Sequence, residues 1–305
     1  SNTMLLIESI YTKLLTHPRR IGELMKFTLI LATLGRSDEV RRMLESLKRQ
    51  SYQDFEVVLI DQNSDNRVFK LYKEYCDSFH IDYIRTQEKG LSHARNLGLK
   101  YGKLNDIVGF PDDDCWYTRD TLKKVNDFFL QNDTDIVSGN LVDSKGIPLV
   151  RNFLKNDAII NLDNVWNAGI SAAIFFKKRV IEKVGAFDEM LGVGSGTVYG
   201  SGEETDYLIR ALKKKFKMKY ISSLQIFHPR KTATGDKEDL NRALLYGGGM
   251  GYVLKKHHYD KRSQLLCMIR PLGGSVLAFM KLDFYLAKYR MNTLRGRIRG
   301  LRAKI

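Results

Sequence analysis

The stretch Gly109-Phe110-Pro111-Asp112-Asp113-Asp114-Cys115-Trp116 places three consecutive carboxylates directly after a short apolar run. That run, residues 107–110, is typical of a buried strand that ends where the acids begin. Adjacent carboxylates repel one another and lose hydration, and a hard divalent cation offsets both costs. Because the rest of the chain is rich in Lys and Arg, the segment predicts a magnesium or manganese site for a phosphorylated substrate. The alternative is an acidic turn that caps the next helix, since Asp is common in both positions.

Strand-like and helix-like segments alternate on the N-terminal side of this stretch. Apolar runs at 27–33, 55–60 and 81–84 predict strands. An apolar stripe predicts a helix after Ser37, and further helices are predicted over about 68–79 and 91–101. This alternation predicts a parallel sheet covered by helices on both faces. Ligands bind past the carboxyl ends of strands in such sheets, which is where Asp61 and the three aspartates are expected.

The C-terminal half is less regular. Strands are predicted at 136–139 and 170–176, with a short helix to Val184 and short strands near Met218 and Ile226. Five glycines among the eleven residues 192–202 predict a mobile loop rather than a packed element. A helix over about 203–214 follows that loop, and helices are predicted from about Arg242 onward.

Length and composition indicate a globular protein. The 305 residues are 43% hydrophobic and 28% charged, which suits one large domain, or one domain with an appendage. We predict an N-terminal helical segment at 1–26, a catalytic domain at 27–235 and a helical extension at 236–305. Three widely spaced cysteines suggest neither a disulfide framework nor a thiolate metal site and are typical of a reducing cytosol. Ser1-Asn2 ahead of Met4 is typical of a cleaved tag, and no signal peptide is expected.

The net charge of +15 calls for an anionic partner: nucleic acid, an anionic membrane surface or negatively charged substrates. Residues 286–305 carry seven Lys or Arg and no acid, with apolar residues at helical spacing at Leu294, Ile298, Leu301 and Ile305. One interpretation is a tail that lies on an anionic membrane, and the other is a terminal helix that packs on its own chain.

Two sequence features qualify the membrane interpretation. Gly296 and Gly300 lower the helix propensity of the tail. The best apolar run, residues 271–280, is about half of the ~20 residues that a membrane span needs, so a transmembrane helix is not expected.

Two polar segments of the N-terminal half carry candidate binding residues. In Asp61-Gln62-Asn63-Ser64-Asp65, the first carboxylate suits the N–H of a uracil ring or a ribose hydroxyl, and the alternative is an Asx turn. In Lys89-Gly90-Leu91-Ser92-His93-Ala94-Arg95-Asn96-Leu97-Gly98, Gly90 permits a tight turn and the helix N-terminus can face an anion. Arg95 would reach a diphosphate or the acidic segment, unless it is an ordinary surface arginine.

The segment Gly202-Glu203-Glu204-Thr205-Asp206-Tyr207-Leu208-Ile209-Arg210 carries candidate catalytic acids beside the glycine-rich loop. Acids in the first turn of a helix suit the helix dipole, which is the structural explanation. A carboxylate there could also remove a proton from a hydroxyl. His228, just before Pro229, is a candidate metal ligand, although a single histidine is more often structural.

Together these patterns resemble glycosyltransferase family 2, the nucleotide-sugar-dependent inverting enzymes of the GT-A fold. The resemblance covers about residues 27–229 and rests on motifs that occur in the family's order. Those motifs are an opening strand, Leu59-Ile60-Asp61-Gln62-Asn63-Ser64-Asp65, the segment 90–98, the aspartates with Trp116, Gly185-Ala186-Phe187-Asp188-Glu189 and Gly202-Glu203-Glu204-Thr205-Asp206.

The resemblance implies a fold and a set of site residues. The implied fold is α/β, a mixed, mostly parallel GT-A-type sheet flanked by helices, with a C-terminal helical extension. The implied contacts to the nucleotide-sugar donor are Thr33, Asp61, Asn63, Arg95, Asp112 and Asp113. The implied ligands for Mn²⁺ or Mg²⁺ are Asp112, Asp114 and His228. Pro111 stands where many relatives have a further Asp, so which aspartate touches the metal stays open. Glu204 is the implied base, with Glu203 or Asp206 as alternatives.

The resemblance also implies a reaction and a location. A sugar would pass from a nucleotide-diphosphate sugar, favoured as a UDP-sugar, to a hydroxyl of a saccharide or lipid-linked acceptor, with inversion, in bacterial surface polysaccharide synthesis. Glycines 192–202 would close over the donor and exclude water. The enzyme would be cytoplasmic, or peripheral on the inner face of the cell membrane through its tail.

Two other classes of protein are weighed against this one. A nucleotidyltransferase that makes nucleotide sugars should carry a glycine-rich basic loop after the first strand, but Ala32-Thr33-Leu34-Gly35-Arg36-Ser37 has one glycine. A nucleic-acid-binding protein is suggested by charge alone; no recognised motif appears, so no nucleic-acid partner is expected. The segment Tyr246-Gly247-Gly248-Gly249-Met250-Gly251-Tyr252 lacks the context of a phosphate loop and predicts close helix packing or a bend.

Overall fold

A computed structural model describes residues 24–150, 153–230 and 235–305, so the N-terminal helical segment predicted at 1–26 lies almost wholly outside the described residues. The strands are β1 (Phe27–Thr33), β2 (Phe55–Asp61), β3 (Ile81–Arg85), β4 (Ile107–Gly109), β5 (Ile136–Val142), β6 (Ala158–Ile159), β7 (Ile174–Lys177) and β8 (Met218–Phe227). The α-helices are α1 (Asp38–Lys48), α2 (Arg67–Tyr75), α3 (Leu91–Tyr101), α4 (Thr121–Gln131), α5 (Lys178–Val184), α6 (Glu203–Lys213), α7 (Lys237–Lys256), α8 (Lys261–Met280) and α9 (Phe284–Leu301).

One mixed sheet organises the described strands, in the order β3-β2-β1-β4-β7-β5-β8-β6. Strands β3, β2, β1 and β4 run parallel, β7 is antiparallel to both of its neighbours, and β8 returns parallel to β5. The segments predicted as two short strands near Met218 and Ile226 form the single strand β8. Its pairing with β5 shifts register between Ser138 and Asn140, so the strand continues past this irregularity.

Helices cover both faces of the sheet, which explains why the first strands are apolar along their whole length. All seven residues of β1 are buried. Leu29 and Leu31 belong to the core on one face, and Ile30 and Ala32 belong to the core on the other. The carboxyl ends of the parallel strands therefore meet at one edge of the sheet, where polar side chains can collect.

The helices α7 and α9 are in close backbone contact through glycines. A Cβ atom at Gly296 would lie 2.0 Å from the carbonyl oxygen of Leu244, and one at Gly300 would lie 2.2 Å from that of Gly248. The prediction of close helix packing at Gly247-Gly248-Gly249 is confirmed. Leu294 is only 9% exposed, so the tail packs its central apolar residue on its own chain.

Helix α8 differs from the sequence expectation. It is 20 residues long with Pro271 inside it, whereas the sequence suggested an apolar run beginning at that proline. A transmembrane helix was not expected from the sequence, but α8 is long and apolar enough to cross a membrane, and only 22% of its most apolar 18 residues are buried. Its buried residues are small or short, namely Cys267, Pro271, Ser275 and Ala278, so its large apolar side chains face outward.

Candidate functional site

The candidate site lies where the carboxyl ends of β1, β2, β4 and β8 meet. Thr33 and Asp61 are register partners at the ends of β1 and β2. Asp112 bridges to Ala32 beside them, and His228 directly follows β8. The fold thus brings together the predicted binding residues from segments far apart in sequence.

The aspartate segment is charge-balanced by an arginine that sequence analysis did not place in the site. Arg36, in the turn after β1, forms an ion pair with Asp113 and contacts Asp114 through Nη2 at 3.0 Å. Asp113 also accepts a hydrogen bond from Thr33 Oγ1 at 2.8 Å. Burial raises the pKa of Asp113, and Arg36 opposes that effect. In the sequence, Arg36 was recognisable only by its position, as a basic residue in the loop after the first strand.

One group of possible ligands among the described residues suits a metal ion. Asp114, Cys115 and His228 each offer an atom, and these atoms lie within 4.8 Å of one another. His228 Nδ1 lies 2.6 Å from the carbonyl oxygen of Pro229, and donating to it leaves Nε2 as the ligand atom. Burial raises the pKa of the Cys115 thiol well above its usual range, so carboxylate and imidazole are the fitting ligands. Carboxylate oxygens suit Mg²⁺ and Mn²⁺, and imidazole suits transition-metal ions.

Asp112, the third predicted metal ligand, faces a different neighbour. Its Oδ1 accepts from Arg95 Nη2 at 3.1 Å. Burial raises the pKa of Asp112 to about 6, with Arg95 opposing that rise and the neighbouring aspartates adding to it. The structure therefore brings Asp114 and His228 together and directs Asp112 toward Arg95.

Arg95 is a buried side chain that links two parts of the site, not a surface arginine. It is 1% exposed, and it donates to Glu203 Oε1 at 3.2 Å and Ser171 Oγ at 2.9 Å in addition to Asp112. Its guanidinium lies 5.9 and 5.6 Å from the ring centres of Phe110 and Phe187. One side chain thus joins the strand end that carries the aspartates to the first turn of α6.

The three acids of α6 occupy different environments. Glu203 is 5% exposed and paired with Arg95. Asp206 is fully buried, and its carboxylate oxygens lie 2.8 Å from Arg210 Nε, Lys256 Nζ and His257 Nε2. Although its burial acts to raise it, these neighbours hold the pKa of Asp206 well below its usual range. Asp206 therefore ties α6 to α7, which favours a structural role.

Glu204 is the least restrained of these acids. Its residue is partly exposed, and within the described ranges it forms no ion pair. Burial, followed by the charge of Glu203, raises the pKa of Glu204 well above its usual range. A partly accessible carboxyl group with a raised pKa is suited to accept a proton near neutral pH.

The loop after β2 has the Asx-turn geometry considered above. Asp61 is fully buried, and its Oδ1 accepts from the backbone N and the Nδ2 of Asn63 at 2.9 and 2.7 Å. Its Oδ2 accepts from the Tyr83 hydroxyl at 2.6 Å. Asn63 Oδ1 in turn accepts from the backbone N of Gly35 at 2.7 Å. These bonds make Asp61 and Asn63 the framework of the loops at this edge.

The glycine-rich loop at 192–202 lies between the N-terminus of α3 and α7. The backbone N of Leu91 donates to Val193 at 2.9 Å, and Gly200 donates to Leu245 at 3.0 Å. Gly90 has φ +128°, which supports the predicted tight turn. A cavity of about 780 Å³ is lined by this loop and by the side of α7 that includes Arg242 and Tyr246.

Comparison with known proteins agrees with this geometry. The sequence profile described as Glycosyl transferase family 2 matches residues 28–184, just over half of the chain. Glycosyltransferase GlyA of Streptococcus pneumoniae is 30% identical over 116 residues, which are 38% of this chain and 16% of that protein. Poly(ribitol-phosphate) beta-N-acetylglucosaminyltransferase TarS of Staphylococcus aureus is 26% identical over 131 residues, 41% of this chain and 23% of that protein. The matched segments thus cover less than a quarter of either relative.

Solved structures show the same fold at low sequence identity. Residues 1–349 of S. aureus TarS in complex with UDP give a TM-score of 0.56 at 17% identity, covering 91% of this chain and 90% of that one. Mannosyltransferase PcManGT from Pyrobaculum calidifontis, in complex with GDP-Man and Mn²⁺, gives a TM-score of 0.62 at 14% identity, covering 98% and 94%. The fold is therefore that of the GT-A glycosyltransferases. The chain belongs to glycosyl transferase family 2.

Proposed function

We propose that this protein transfers a sugar from a nucleotide-diphosphate sugar, favoured as a UDP-sugar, to a hydroxyl of a saccharide or lipid-linked acceptor, with inversion. The network around Arg95 carries the proposal, because it joins Asp112 to Glu203, the neighbour of Glu204. The network therefore places the partly accessible Glu204 beside the strand end that carries Asp112. The complexes of TarS with UDP and of PcManGT with GDP-Man and Mn²⁺ support a nucleotide-sugar donor.

The donor contacts proposed are Thr33, Asp61, Asn63, Arg95, Asp112 and Asp113. Thr33 and Asp113 are hydrogen-bonded to each other, while Asp61 and Asn63 hold the loop on which the nucleotide base would lie. Mn²⁺ or Mg²⁺ held by Asp114 and His228 would neutralise the negative charge of the diphosphate. Arg36 and Arg95 already place positive charge beside the aspartates, which favours an anionic substrate there.

Glu204 is proposed to deprotonate the acceptor hydroxyl, which attacks the anomeric carbon from the face opposite the leaving diphosphate. A single displacement inverts the anomeric configuration and needs no covalent intermediate. Because a base must be ionised and the pKa of Glu204 is raised, activity should increase as pH rises through that pKa. The loop at 192–202 would exclude water that competes with the acceptor.

The base is tested by Glu204→Gln with Glu238→Gln as a matched control, since Glu238 is an exposed acid lining the adjacent cavity. UDP-, GDP- and dTDP-sugars are first screened for manganese-dependent hydrolysis and thermal stabilisation. We expect Glu204→Gln to bind the selected nucleotide normally while its transfer rate falls by about 10²–10⁴. Transfer retained in Glu204→Gln would assign the base to another acid.

The metal site is tested by His228→Ala. Loss of a ligand should weaken Mn²⁺ binding in the presence of the selected nucleotide by at least about tenfold, measured by titration calorimetry. Unchanged Mn²⁺ affinity would remove His228 from the metal site.

We further propose that the enzyme works in bacterial surface polysaccharide synthesis, on the cytoplasmic side and peripheral to the cell membrane. The name of TarS, a poly(ribitol-phosphate) beta-N-acetylglucosaminyltransferase, supports this setting. The large exposed apolar residues of α8 include Ile269, Leu272, Leu277 and Phe279, which are 44–62% exposed. These outward side chains make α8 a better membrane contact than α9, whose Leu294 is buried.

The charges around α8 fit an anionic surface. Residues 261–305 contain eleven Lys or Arg and one acid, Asp283. Helix α9 follows α8 through Lys281–Asp283 and returns along α7, with Gly296 and Gly300 against that helix. Both ends of α8 therefore stay on the side of the membrane where the catalytic domain lies. This favours a helix that lies in the membrane surface over one that spans the membrane.

Vesicle sedimentation tests this orientation. Leu272→Asn/Leu277→Asn should lose binding to phosphatidylglycerol vesicles, while Ile159→Asn/Leu162→Asn, the same change at exposed sites elsewhere, should keep it. Phosphatidylcholine vesicles should bind the wild type weakly. Equal binding of both double variants would exclude α8 as the contact, and loss of a concentration-dependent dimer in the α8 variant would instead identify a second copy as its partner.

A further inference from the structure

A second cavity, of about 470 Å³, lies among α7, α8 and α9. Arg270 of α8 and Arg290 and Arg297 of α9 line it together with Tyr246 of α7 and Tyr289 of α9. None of its described lining residues is an acid. Three guanidinium groups therefore share one concave space without a carboxylate among its walls.

Two of these arginines have buried N–H donors without an acceptor in the part of the chain that the structure describes. Arg297 donates through Nη1 to the carbonyl oxygen of Cys267, but the Nε atoms of Arg290 and Arg297 are buried and have no hydrogen-bond partner among the described residues. Burial is the largest cause of a lowered pKa at Arg297, and the charge of Arg270 adds to it. Buried donors without acceptors are costly, so this arrangement favours an anionic ligand with several oxygens.

The cavity adjoins the candidate site through one residue of α7. Tyr246 lines both this cavity and the cavity at the glycine-rich loop. Its carbonyl oxygen accepts from Ser201 Oγ at 3.1 Å, two residues before the acids of α6. Burial is the main cause of the raised pKa of Tyr246, and the charges of Glu203 and Glu204 contribute. Through Tyr246 the arginine cavity thus adjoins the glycine-rich loop and the segment that leads into the acids of α6.

We propose that Arg270, Arg290 and Arg297 bind a phosphate or diphosphate group of the acceptor, so that the acceptor hydroxyl extends past Tyr246 toward Glu204. Guanidinium groups recognise phosphate through paired, charge-assisted hydrogen bonds. The assignment to the acceptor rests on the proposed glycosyl transfer, whereas phosphate binding itself does not. The phosphate could belong to a lipid, whose chain would follow the apolar face of α8, or to a water-soluble saccharide phosphate.

Two double variants of equal charge isolate the cavity. Arg270→Gln/Arg290→Gln changes its lining, and Arg295→Gln/Arg299→Gln changes exposed arginines of α9 outside it. Inorganic pyrophosphate and farnesyl diphosphate are titrated into each protein with UDP and Mn²⁺ present, which keeps the probes out of the donor site. We expect the cavity variant to bind pyrophosphate at least tenfold more weakly than the control variant, with the single variant Arg270→Gln between them.

The two probes identify the source of the phosphate. Tighter binding of farnesyl diphosphate than of pyrophosphate assigns the site to a lipid phosphate, and equal binding assigns it to a soluble one. Equal pyrophosphate affinity of the two double variants, or no binding by the wild type, would overturn the site. If none of the screened nucleotides, UDP, GDP or dTDP, binds these proteins, the proposed transfer fails, while the comparison of double variants still tests the cavity.

Discussion

Replacing Arg95 by Met tests whether its network holds the site together. The side chain is 1% exposed and neutralises two carboxylates, those of Asp112 and Glu203, at 3.1 and 3.2 Å. Arg95→Met keeps a long unbranched side chain but removes the charge and every donor. Both acids then stay at the site without their guanidinium partner.

The expected cost follows from the burial of these groups. Removing one partner of a buried ion pair costs about 3–5 kcal/mol, because the remaining charge is desolvated and unpaired. The pKa of Asp112 is already about 6, above the usual value, so its ionised form destabilises the fold. Loss of Arg95 raises that pKa further, and each additional unit is worth about 1.4 kcal/mol at alkaline pH. Protonation of Asp112 removes the contribution of its unpaired negative charge. The loss of stability in Arg95→Met should therefore shrink as pH falls from 8 to 5.

Urea unfolding followed by the fluorescence of Trp116 and Trp166 measures the effect at both pH values. The control is Arg41→Met, because Arg41 and Glu74 form a pair that is about half exposed and should contribute less than about 1 kcal/mol. A loss below about 1 kcal/mol for Arg95→Met at pH 8, or a loss that grows at pH 5, would refute this account of the network.

Two further predictions concern helix packing and the acidic segment. Gly296→Ala should destabilise the protein by about 1–3 kcal/mol through overpacking against Leu244. Gly273→Ala, whose added Cβ atom would have no atom of the described residues within 4 Å, should stabilise it by up to about 1 kcal/mol. The midpoints of urea unfolding measure both effects, and equal effects would contradict the packing argument. Asp112→Asn should raise stability at pH 7 by about 1–3 kcal/mol and lower transfer, since it removes an unfavourable ionised group whose pKa is about 6. The stability gain should disappear at pH 4, and a gain independent of pH would assign it to another cause.

Features that depend on residues close together in the chain could be predicted from the sequence, and features that depend on distant residues could not. Helix α3 begins and ends where the sequence predicted it, at 91–101, because helix boundaries depend on neighbours within one turn. Strand β8 was predicted as two pieces because polar Ser222 and Ser223 interrupt it, but its pairing with β5 carries it through. The membrane-spanning capacity of α8 was underestimated because its apolar run was counted only from Pro271, whereas the helix begins at Lys261 and continues through that proline.

The candidate site shows the same division. The aspartates and the α6 acids were recognisable as residue types, but their individual environments were not. Arg36 was missed as a site residue, and the burial of Arg95 could not be predicted, because each depends on partners 77 and 108 residues away, Asp113 and Glu203. The sequence therefore could not separate a restrained acid such as Asp206 from a partly accessible one such as Glu204.

The sequence by itself determined the alternation of strands and helices, the position of three aspartates at a strand end and the basic character of the last 45 residues. These are properties of local pattern and composition. Only the tertiary structure decided that Asp112 faces Arg95 while Asp114 faces His228, and that the large apolar side chains of α8 point outward. The reason is physical: pKa, ion pairing and exposure depend on which distant groups share a small, poorly hydrated volume, and chain folding alone sets that neighbourhood.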